Sequence, residues 1–173
     1  MLRKHLLAMA MSTLCAMTTV SAIGQAIAAD APATKADAAT LARGKYFTKI
    51  AGCNDCHTPG YMAAGGDVDE KLWLTGDSFG WRGPWGTTYA PNLRLYMAKL
   101  SEAQWLDAAR SMKARPPMPW FNLREVSDND LRAFYVYVRS LGPGGKPAPA
   151  YLPPDKEPPQ PYAQFPSPPP AKK

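Results

Sequence analysis

The chain has 173 residues, a length that suggests one folded domain. Its formal net charge is +6, but Arg3 and Lys4 lie in an N-terminal segment without acidic residues, which leaves 18 basic against 14 acidic residues elsewhere. The basic residues form no dense run interleaved with aromatic residues, so the composition argues against a nucleic-acid-binding protein.

Residues 1–28 have the pattern of a secretory signal peptide. Arg3 and Lys4 precede a mostly apolar stretch, and Ala26-Ile27-Ala28 is a small-x-small cleavage site. The alternative is an uncleaved anchor helix, which the polar residues within the stretch disfavour. We therefore predict a periplasmic protein without a membrane span after cleavage, followed by a disordered lead-in at residues 29–38. Cleavage would also remove Cys15.

The first predicted helix begins at Thr40, a capping residue, and runs to about Ala51. Leu41, Gly44 and Phe47 share one face of this helix with Ala51. A glycine inside a helix costs about 1 kcal/mol relative to alanine. Gly44 therefore predicts the close approach of another helix.

The helix leads into Cys53-Asn54-Asp55-Cys56-His57, the pattern of a c-type haem attachment site. Each cysteine sulfur can bond one haem vinyl group, and the His57 imidazole then lies under the porphyrin as an axial iron ligand. A structural zinc site needs four ligands, and no cysteine or histidine follows His57. A thioredoxin-like pair would need a βαβ context, and a plain disulfide leaves His57 unexplained. We predict one covalently attached haem c.

Residues 60–92 show little periodicity and are rich in glycine and tryptophan. A loop of this length is unusual in a compact domain unless it packs on a cofactor. Trp73, Trp81 and Trp85 either line a haem pocket or simply cover the hydrophobic core of a small domain. The sequence leaves both interpretations open.

The turn Ala90-Pro91-Asn92-Leu93 suggests a partner for the histidine. An axial histidine usually has its second ring nitrogen held by a carbonyl or carboxylate acceptor. We predict that the carbonyl of Pro91 fills this role for His57.

Two further helices have clear start signals. Ser101-Glu102-Ala103-Gln104 is a capping box that opens a helix from Glu102 to about Lys113. Ser127 caps the last helix, which ends before Gly142-Pro143. The apolar stripe of this last helix is predicted to cross the first helix at Gly44; it comprises Leu131, Phe134, Tyr135, Val138 and Leu141.

The run Arg115-Pro116-Pro117-Met118-Pro119-Trp120 lies between those helices. Its prolines favour a rigid extended loop, and a thioether is a soft ligand that suits low-spin haem iron. Met118 is therefore the predicted second axial ligand. Met62 is too close to His57 in sequence and Met112 lies on an apolar helix face, but Met97 remains an alternative.

Residues 143–173 contain 12 of the 19 prolines, which predicts an extended tail outside the core. Tyr151, Tyr162 and Phe165 are candidates for pinning this tail to the domain or to a partner. The alternative is a solvated extension.

Residues 39–142 resemble a class I c-type cytochrome in the order of their features. A helix is followed by the Cys-x-x-Cys-His motif, an aromatic loop, a turn with proline, a second helix, the methionine loop and a terminal helix. Residues 80–93 and 118–121 are similar to monohaem proteins and cytochrome subunits associated with bacterial periplasmic dehydrogenases. The resemblance implies an all-α cytochrome c fold, with three main helices around one haem and long irregular loops. It also implies thioether bonds at Cys53 and Cys56, with His57 and Met118 as the axial ligands.

The expected function is one-electron transfer rather than catalysis, because His/Met ligation leaves no open iron position. The expected partners are redox proteins, with a dehydrogenase as donor and an oxidase or another cytochrome as acceptor. Two alternatives remain: a haem enzyme or gas-binding protein with a labile sixth position, and a fixed cytochrome subunit of a dehydrogenase complex.

Two sets of basic residues have roles that the sequence does not decide. Four lysines either steer acidic partners or belong to solvated helix faces: Lys45, Lys49, Lys99 and Lys113. Arg82, Arg94 and Arg115 are candidates for pairing with the haem propionates, and no spacing selects among them.

Overall fold

A computed structural model describes residues 37–167. The predicted signal peptide, Cys15 and most of the predicted lead-in lie outside the described residues. The helices are α1 (Ala38–Ile50), α2 (Cys53–His57), α3 (Leu93–Met97), α4 (Glu102–Ser111), α5 (Trp120–Leu123) and α6 (Asp128–Ser140). The strands are β1 (Gly80–Gly83), β2 (Gly86–Tyr89) and β3 (Tyr162–Gln164), and a 3-10 turn spans Glu70–Leu72.

The all-α prediction is wrong, because the three strands form one mixed sheet. β1 and β2 make an antiparallel hairpin, and β3 lies parallel to the other edge of β1 in the order β2-β1-β3. The hairpin occupies part of the region predicted to be an irregular loop. Its strands are four residues long and rich in glycine, so they carry too little alternation to be read as strands. β3 uses a proline-free stretch of the tail, since proline cannot donate to a sheet ladder.

α1 begins earlier than predicted because Asp37, not Thr40, is its cap. The Asp37 carboxylate accepts hydrogen bonds from the Thr40 N–H at 2.8 Å and from the Thr40 hydroxyl at 2.7 Å. Asp37 and Ala38, assigned to the lead-in by sequence, therefore belong to the helix and its cap.

The first and last helices cross at Gly44 as predicted, but the α6 residues that meet Gly44 are Ala133 and Tyr137, which the predicted apolar stripe did not include. A Cβ atom at Gly44 would lie 2.1 Å from the Ala133 carbonyl oxygen and 2.5 Å from Tyr137 Cβ. Only a residue without a side chain permits this approach of α1 to α6. The same contact continues in an edge-to-face pair between Phe47 and Phe134, whose ring centres are 5.8 Å apart.

α4 and α6 have the predicted caps. Ser101 and Gln104 form a complete capping box, and Ser127 accepts a hydrogen bond from the Asp130 N–H. α4 ends at Ser111, two residues before its predicted end. Trp105 joins α4 to α6 because its indole N–H donates to the Leu131 carbonyl at 2.9 Å inside the core.

Arg94 is buried with its guanidinium bound to backbone carbonyls. It donates to Gly142 O at 2.6 Å, to Lys71 O at 2.8 Å and to Leu141 O. The free carbonyls at the C-terminal end of a helix attract a cation. Arg94 therefore fixes the end of α6 against the 3-10 turn, and its hydrogen-bonding groups are occupied by the protein itself.

None of the helices within the described part of the chain combines the length and the apolar character needed to cross a bilayer.

Candidate haem site

The Cys53–His57 motif forms a single helical turn, α2. Residues three and four apart in a helix project from neighbouring positions on one side, so Cys53 lies near both Cys56 and His57. The two cysteines are partly buried and are not joined by a disulfide. Neither sulfur is therefore committed to a disulfide.

The thiols are held in their protonated form. Burial raises the pKa of Cys53 to about 12. Burial also raises the pKa of Cys56, and the charges of Asp55 and Asp77 add to this effect. A redox-active cysteine pair needs a lowered pKa that populates the thiolate at neutral pH. These environments argue against a dithiol oxidoreductase.

The imidazole of His57 is buried and oriented by the predicted contact with Pro91. His57 Nδ1 lies 2.8 Å from the Pro91 carbonyl oxygen. Because a carbonyl can only accept, Nδ1 carries the proton and the neutral ring presents a lone pair at Nε2. Burial lowers the pKa of His57 and outweighs the opposing effect of the Pro91 carbonyl. The ring hydrogen bond of His57 within residues 37–167 uses Nδ1, which leaves the Nε2 lone pair for another partner.

A buried threonine that sequence analysis did not single out supports this turn. The Thr58 hydroxyl donates to the Asn54 side-chain oxygen at 2.8 Å and accepts from the Leu74 N–H at 2.8 Å. The His57 carbonyl accepts from the Gly76 N–H at 2.8 Å. These bonds join α2 to the segment that precedes the hairpin. No sequence signal predicts these hydrogen bonds. Two of them join residues at least 16 positions apart, and the bond between Thr58 and Asn54 depends on the orientation of the turn.

Asn92 fixes the other side of the contact. Its side chain accepts a hydrogen bond from the Leu95 N–H at 3.0 Å, which caps α3, and donates to the Gly144 carbonyl at 2.7 Å. An asparagine before a short apolar run is a recognisable capping signal. Asn92 follows Pro91 in the chain, and its hydrogen bonds therefore help to fix the position of the Pro91 carbonyl.

Met118 lies on a separate loop that is attached to β2. The Thr88 hydroxyl donates to the Pro116 carbonyl at 2.8 Å, and the Trp120 N–H donates to the Met118 carbonyl at 2.9 Å. Among the described residues, no hydrogen bond joins this loop directly to the Cys53–His57 motif. The connection runs along the chain from Thr88 to Pro91. The structure thus brings Cys53, Cys56, His57 and Pro91 together. The loop that carries Met118 is attached to β2, the strand that precedes Pro91.

The other methionines have different surroundings. Met97 is completely buried and belongs to the core cluster with Trp105 and Leu131. Met62 is 55% exposed, and Met112 packs against the edge of the core. Met118 is half-buried and lies outside that cluster. These positions favour Met118 over Met97 as a ligand available to a cofactor.

Three buried donors on the hairpin have no protein partner. Trp81 Nε1, the Thr87 hydroxyl and the Tyr89 hydroxyl are inaccessible to solvent and unbonded within the structurally described segment. An unpaired buried donor costs about 1–3 kcal/mol, so native proteins usually supply an acceptor. Trp81 lies opposite Thr88, and Gly80 lies opposite Tyr89. Because neighbouring residues of a strand point to opposite faces, the side chains of Trp81 and Tyr89 lie on opposite faces of the hairpin. Trp81 therefore shares its face with Thr88, which binds the methionine loop.

The three arginine candidates for propionate binding all have partners in the chain. Arg82 forms an ion pair with Glu157, and the Arg115 guanidinium lies 3.9 Å from the ring centre of Tyr151. Arg94 is bound to carbonyls as described above. The buried hairpin donors without such a partner are Trp81 Nε1, Thr87 Oγ1 and Tyr89 OH. Sequence analysis named Trp81 as a candidate pocket wall, but no sequence pattern identifies the other two.

The donor set fits haem better than a single closed metal site. No group of three His, Cys, Asp or Glu side chains between residues 37 and 167 converges on one ion. A covalently attached haem requires the two thiols at the edge of a macrocycle and the imidazole under its centre. The free thiols and the buried histidine oriented through Nδ1 on this helical turn are the groups that such an attachment would use.

Comparison of the chain with protein-family models, with curated proteins and with solved structures found no match. The assignment of this site therefore depends on its residues and on the contacts described above.

Proposed function

We propose that this protein is a periplasmic one-electron carrier of the class I c-type cytochrome kind, with a single covalently bound haem. The observation that carries the proposal is the 2.8 Å contact between His57 Nδ1 and the Pro91 carbonyl, beside two unpaired thiols on the same helical turn. A buried structural histidine has no need of two free cysteines on its own turn. An axial haem ligand in a c-type site needs all three groups.

Bound haem supplies one iron that alternates between the ferric and ferrous states. Cys53 and Cys56 tether it, and His57 presents Nε2 to the metal. The Pro91 carbonyl keeps the proton on Nδ1, which maintains the ligand's orientation and increases its basicity. The hydrophobic surroundings limit solvent access and so contribute to the reduction potential.

Met118 is the proposed second axial ligand. A thioether opposite an imidazole raises the potential and leaves no open coordination position. This saturation favours electron transfer over substrate chemistry. The donor and acceptor are then other redox proteins, and a dehydrogenase donor with an oxidase or cytochrome acceptor remains our proposal.

The two lysines of α1 do not contribute equally to the long-range attraction of acidic redox partners. Lys45 forms an ion pair with Glu70, and both Lys45 and Lys49 lie about 5.5 Å from the Trp73 ring centre. A compensated charge has little long-range attraction for an acidic partner. Among the four candidate lysines, any steering of acidic partners therefore depends mainly on the exposed ones without an ion pair in the described part of the chain, which are Lys49, Lys99 and Lys113.

The test is expression of the full chain in cells that carry a c-haem attachment system. We expect a red periplasmic protein whose pigment stays with the polypeptide on a denaturing gel. The Cys53→Ser and Cys56→Ser variants are the matched controls, and the double variant should lose covalent pigment. A colourless wild-type protein with two intact thiols would contradict the proposal.

Absorption spectra of the ferric protein separate the carrier from the haem-enzyme alternative. Methionine ligation produces a weak red charge-transfer band. We expect this band and slow cyanide binding at neutral pH. Rapid and tight binding of cyanide or carbon monoxide would instead indicate an open or labile sixth position.

A further inference from the structure

We propose that the C-terminal strap, residues 151–165, positions the methionine loop, residues 115–119, and that Tyr151 is the positioning residue. This inference rests on the proposed function, because the position of the loop matters for electron transfer only if Met118 binds the iron.

The strap covers both edges of the β1–β2 hairpin. On the β2 edge, the Thr87 N–H donates to Leu152 O at 2.8 Å and the Leu152 N–H donates to Thr87 O at 3.0 Å. On the β1 edge, β3 pairs in parallel, and the Phe165 N–H extends that pairing with a bond to Arg82 O at 2.7 Å. The strap therefore crosses from one edge of the hairpin to the other and binds both.

The hairpin is shaped to receive the strap. Gly86 has a φ of +94°, and a Cβ atom there would lie 2.3 Å from Leu152 O and 2.8 Å from the Tyr151 ring. Glycine is required on both counts, because other residues rarely adopt this φ and no side chain fits. Phe165 packs on Trp85 and Trp81, with ring centres 5.2 Å and 6.1 Å away. This packing against the hairpin is inconsistent with a solvated extension at Tyr151, Leu152 and Phe165.

Tyr151 links the strap to the methionine loop. Its hydroxyl donates to Trp85 O at 2.9 Å, which fixes the ring on the hairpin turn. The Arg115 guanidinium stacks on the ring at 3.9 Å, and Thr88 binds Pro116 O at 2.8 Å. Two successive loop residues just before Met118 are therefore held, one by the strap and one by β2.

The opposite end of the loop is held by different groups. The Arg124 guanidinium lies 4.5 Å from the Trp120 ring centre, and it donates to Met112 O at 3.3 Å. This end remains attached to α4 whatever happens to the strap. Loss of the Tyr151 contact should therefore free the first half of the loop selectively.

A ligand carried on a loop leaves the metal when the loop opens, and the open fraction follows from the free energy of local opening. Removing the hydrogen-bonded Tyr151 ring, on which the Arg115 cation stacks, should increase that fraction about two- to fivefold. An external ligand that competes with Met118 reports the open fraction directly.

The experiment compares haem-loaded wild type with Tyr151→Leu and with Tyr46→Leu. Tyr46 is an exposed tyrosine on α1 that also faces an arginine, so it controls for loss of a surface cation–π pair. Imidazole should bind ferric Tyr151→Leu about two- to fivefold more tightly than wild type. The Tyr46→Leu variant should match wild type. Equal imidazole affinity in all three proteins would overturn the proposal.

Hydrogen exchange provides a readout that does not depend on the iron. Backbone amides of the methionine loop should exchange faster in Tyr151→Leu, whereas amides of α6 should not change. Arg115→Gln alters only an exposed side chain and should reproduce the effect if Tyr151→Leu folds poorly. Unchanged loop exchange in both variants would refute the positioning role.

The two proposals fail in different ways. Wild-type protein without covalent haem, or without the red charge-transfer band, contradicts the haem function or the methionine ligand. Wild-type protein with both features and a Tyr151 variant without effect contradicts only the strap. Hydrogen exchange tests the strap in either case.

Discussion

The imidazole of His57 is held by a carbonyl group rather than by a carboxylate, since Pro91 O lies 2.8 Å from Nδ1. A carboxylate at this position would carry a full negative charge and make the ligand more basic, which favours ferric iron. A neutral carbonyl fixes the same tautomer with a smaller electronic effect. At the scale of one residue, this contact favours the higher potentials that suit a proposed His/Met carrier.

Met118→Ala tests the second axial ligand. We expect the haem to remain attached while the reduction potential falls by on the order of 100 mV, because the thioether stabilises ferrous iron. A redox titration measures this change, and ferric cyanide binding should become fast. Met62→Ala is the control because that side chain is 55% exposed. An unchanged potential in Met118→Ala would show that another residue binds the iron.

Trp81→Phe tests whether a cofactor carboxylate satisfies the buried indole. If a haem propionate accepts from Nε1, loss of this bond should lower the unfolding free energy of the haem-loaded protein by about 1–2 kcal/mol. Denaturant unfolding measures the change. Trp73→Phe calibrates it, because that indole donates to Val68 O at 2.9 Å. A neutral or stabilising Trp81→Phe change would mean that the indole has no acceptor.

At the scale of elements, α2 depends on its neighbours. A helix of five residues is unstable alone, because helix nucleation fixes several residues before many bonds form. Thr58 and the Gly76 N–H supply the missing stabilisation from outside the helix. The spacing of the Cys53–His57 motif is therefore local, but its geometry comes from the surrounding fold.

Gly44→Ala tests the crossing of α1 and α6. Helix propensity alone would make alanine favourable by about 1 kcal/mol. The clash with the Ala133 carbonyl should outweigh this gain, and we expect a net loss of about 1–2 kcal/mol in the free energy of unfolding. Thermal and denaturant unfolding provide the measurement. Ala42→Gly, on the exposed side of α1, measures the propensity effect separately. A stabilising Gly44→Ala substitution would contradict the close crossing.

For the molecule as a whole, Glu70 joins three parts of the chain. It accepts hydrogen bonds from Lys45 of α1 and from the Tyr137 hydroxyl of α6, while it belongs to the 3-10 turn. Burial alone would raise the pKa of Glu70, but these hydrogen bonds outweigh it and the pKa is lowered. Burial, together with the Glu70 carboxylate, raises the pKa of Tyr137 well above its usual range.

This contact predicts a loss of stability at alkaline pH. Above the ordinary tyrosine pKa of about 10, the unfolded chain releases the Tyr137 proton while the native protein keeps it. The free energy of unfolding should therefore decrease as the pH rises above about 10, toward the raised pKa of Tyr137 in the folded protein. In Tyr137→Phe this decrease should be smaller, as measured by denaturant unfolding followed by circular dichroism. Tyr46→Phe should keep the wild-type slope, and identical slopes in all three proteins would contradict the prediction.

Features that depend on neighbouring residues could be predicted from sequence. The capping box at Ser101, the cap at Ser127 and the glycine at position 44 follow from spacing within one or two helical turns. The spacing within the Cys53–His57 motif is local in the same sense. The Pro91 carbonyl lies 34 positions from His57 and was expected for another reason, since a histidine that binds a metal usually needs an acceptor for its second ring nitrogen. These signals determined the helices of the core and the candidate site.

The sheet, the strap and the partners of Arg94 were decided only by the tertiary structure. Thr87 pairs with Leu152 and β1 pairs with β3, residues that are far apart in the chain. A strand of three or four residues carries almost no periodicity, and its partner is selected by the shape left when the helices have packed. The tail is extended because of its prolines, which sequence determines, but its place against the hairpin depends on complementary surfaces that form only in the folded molecule.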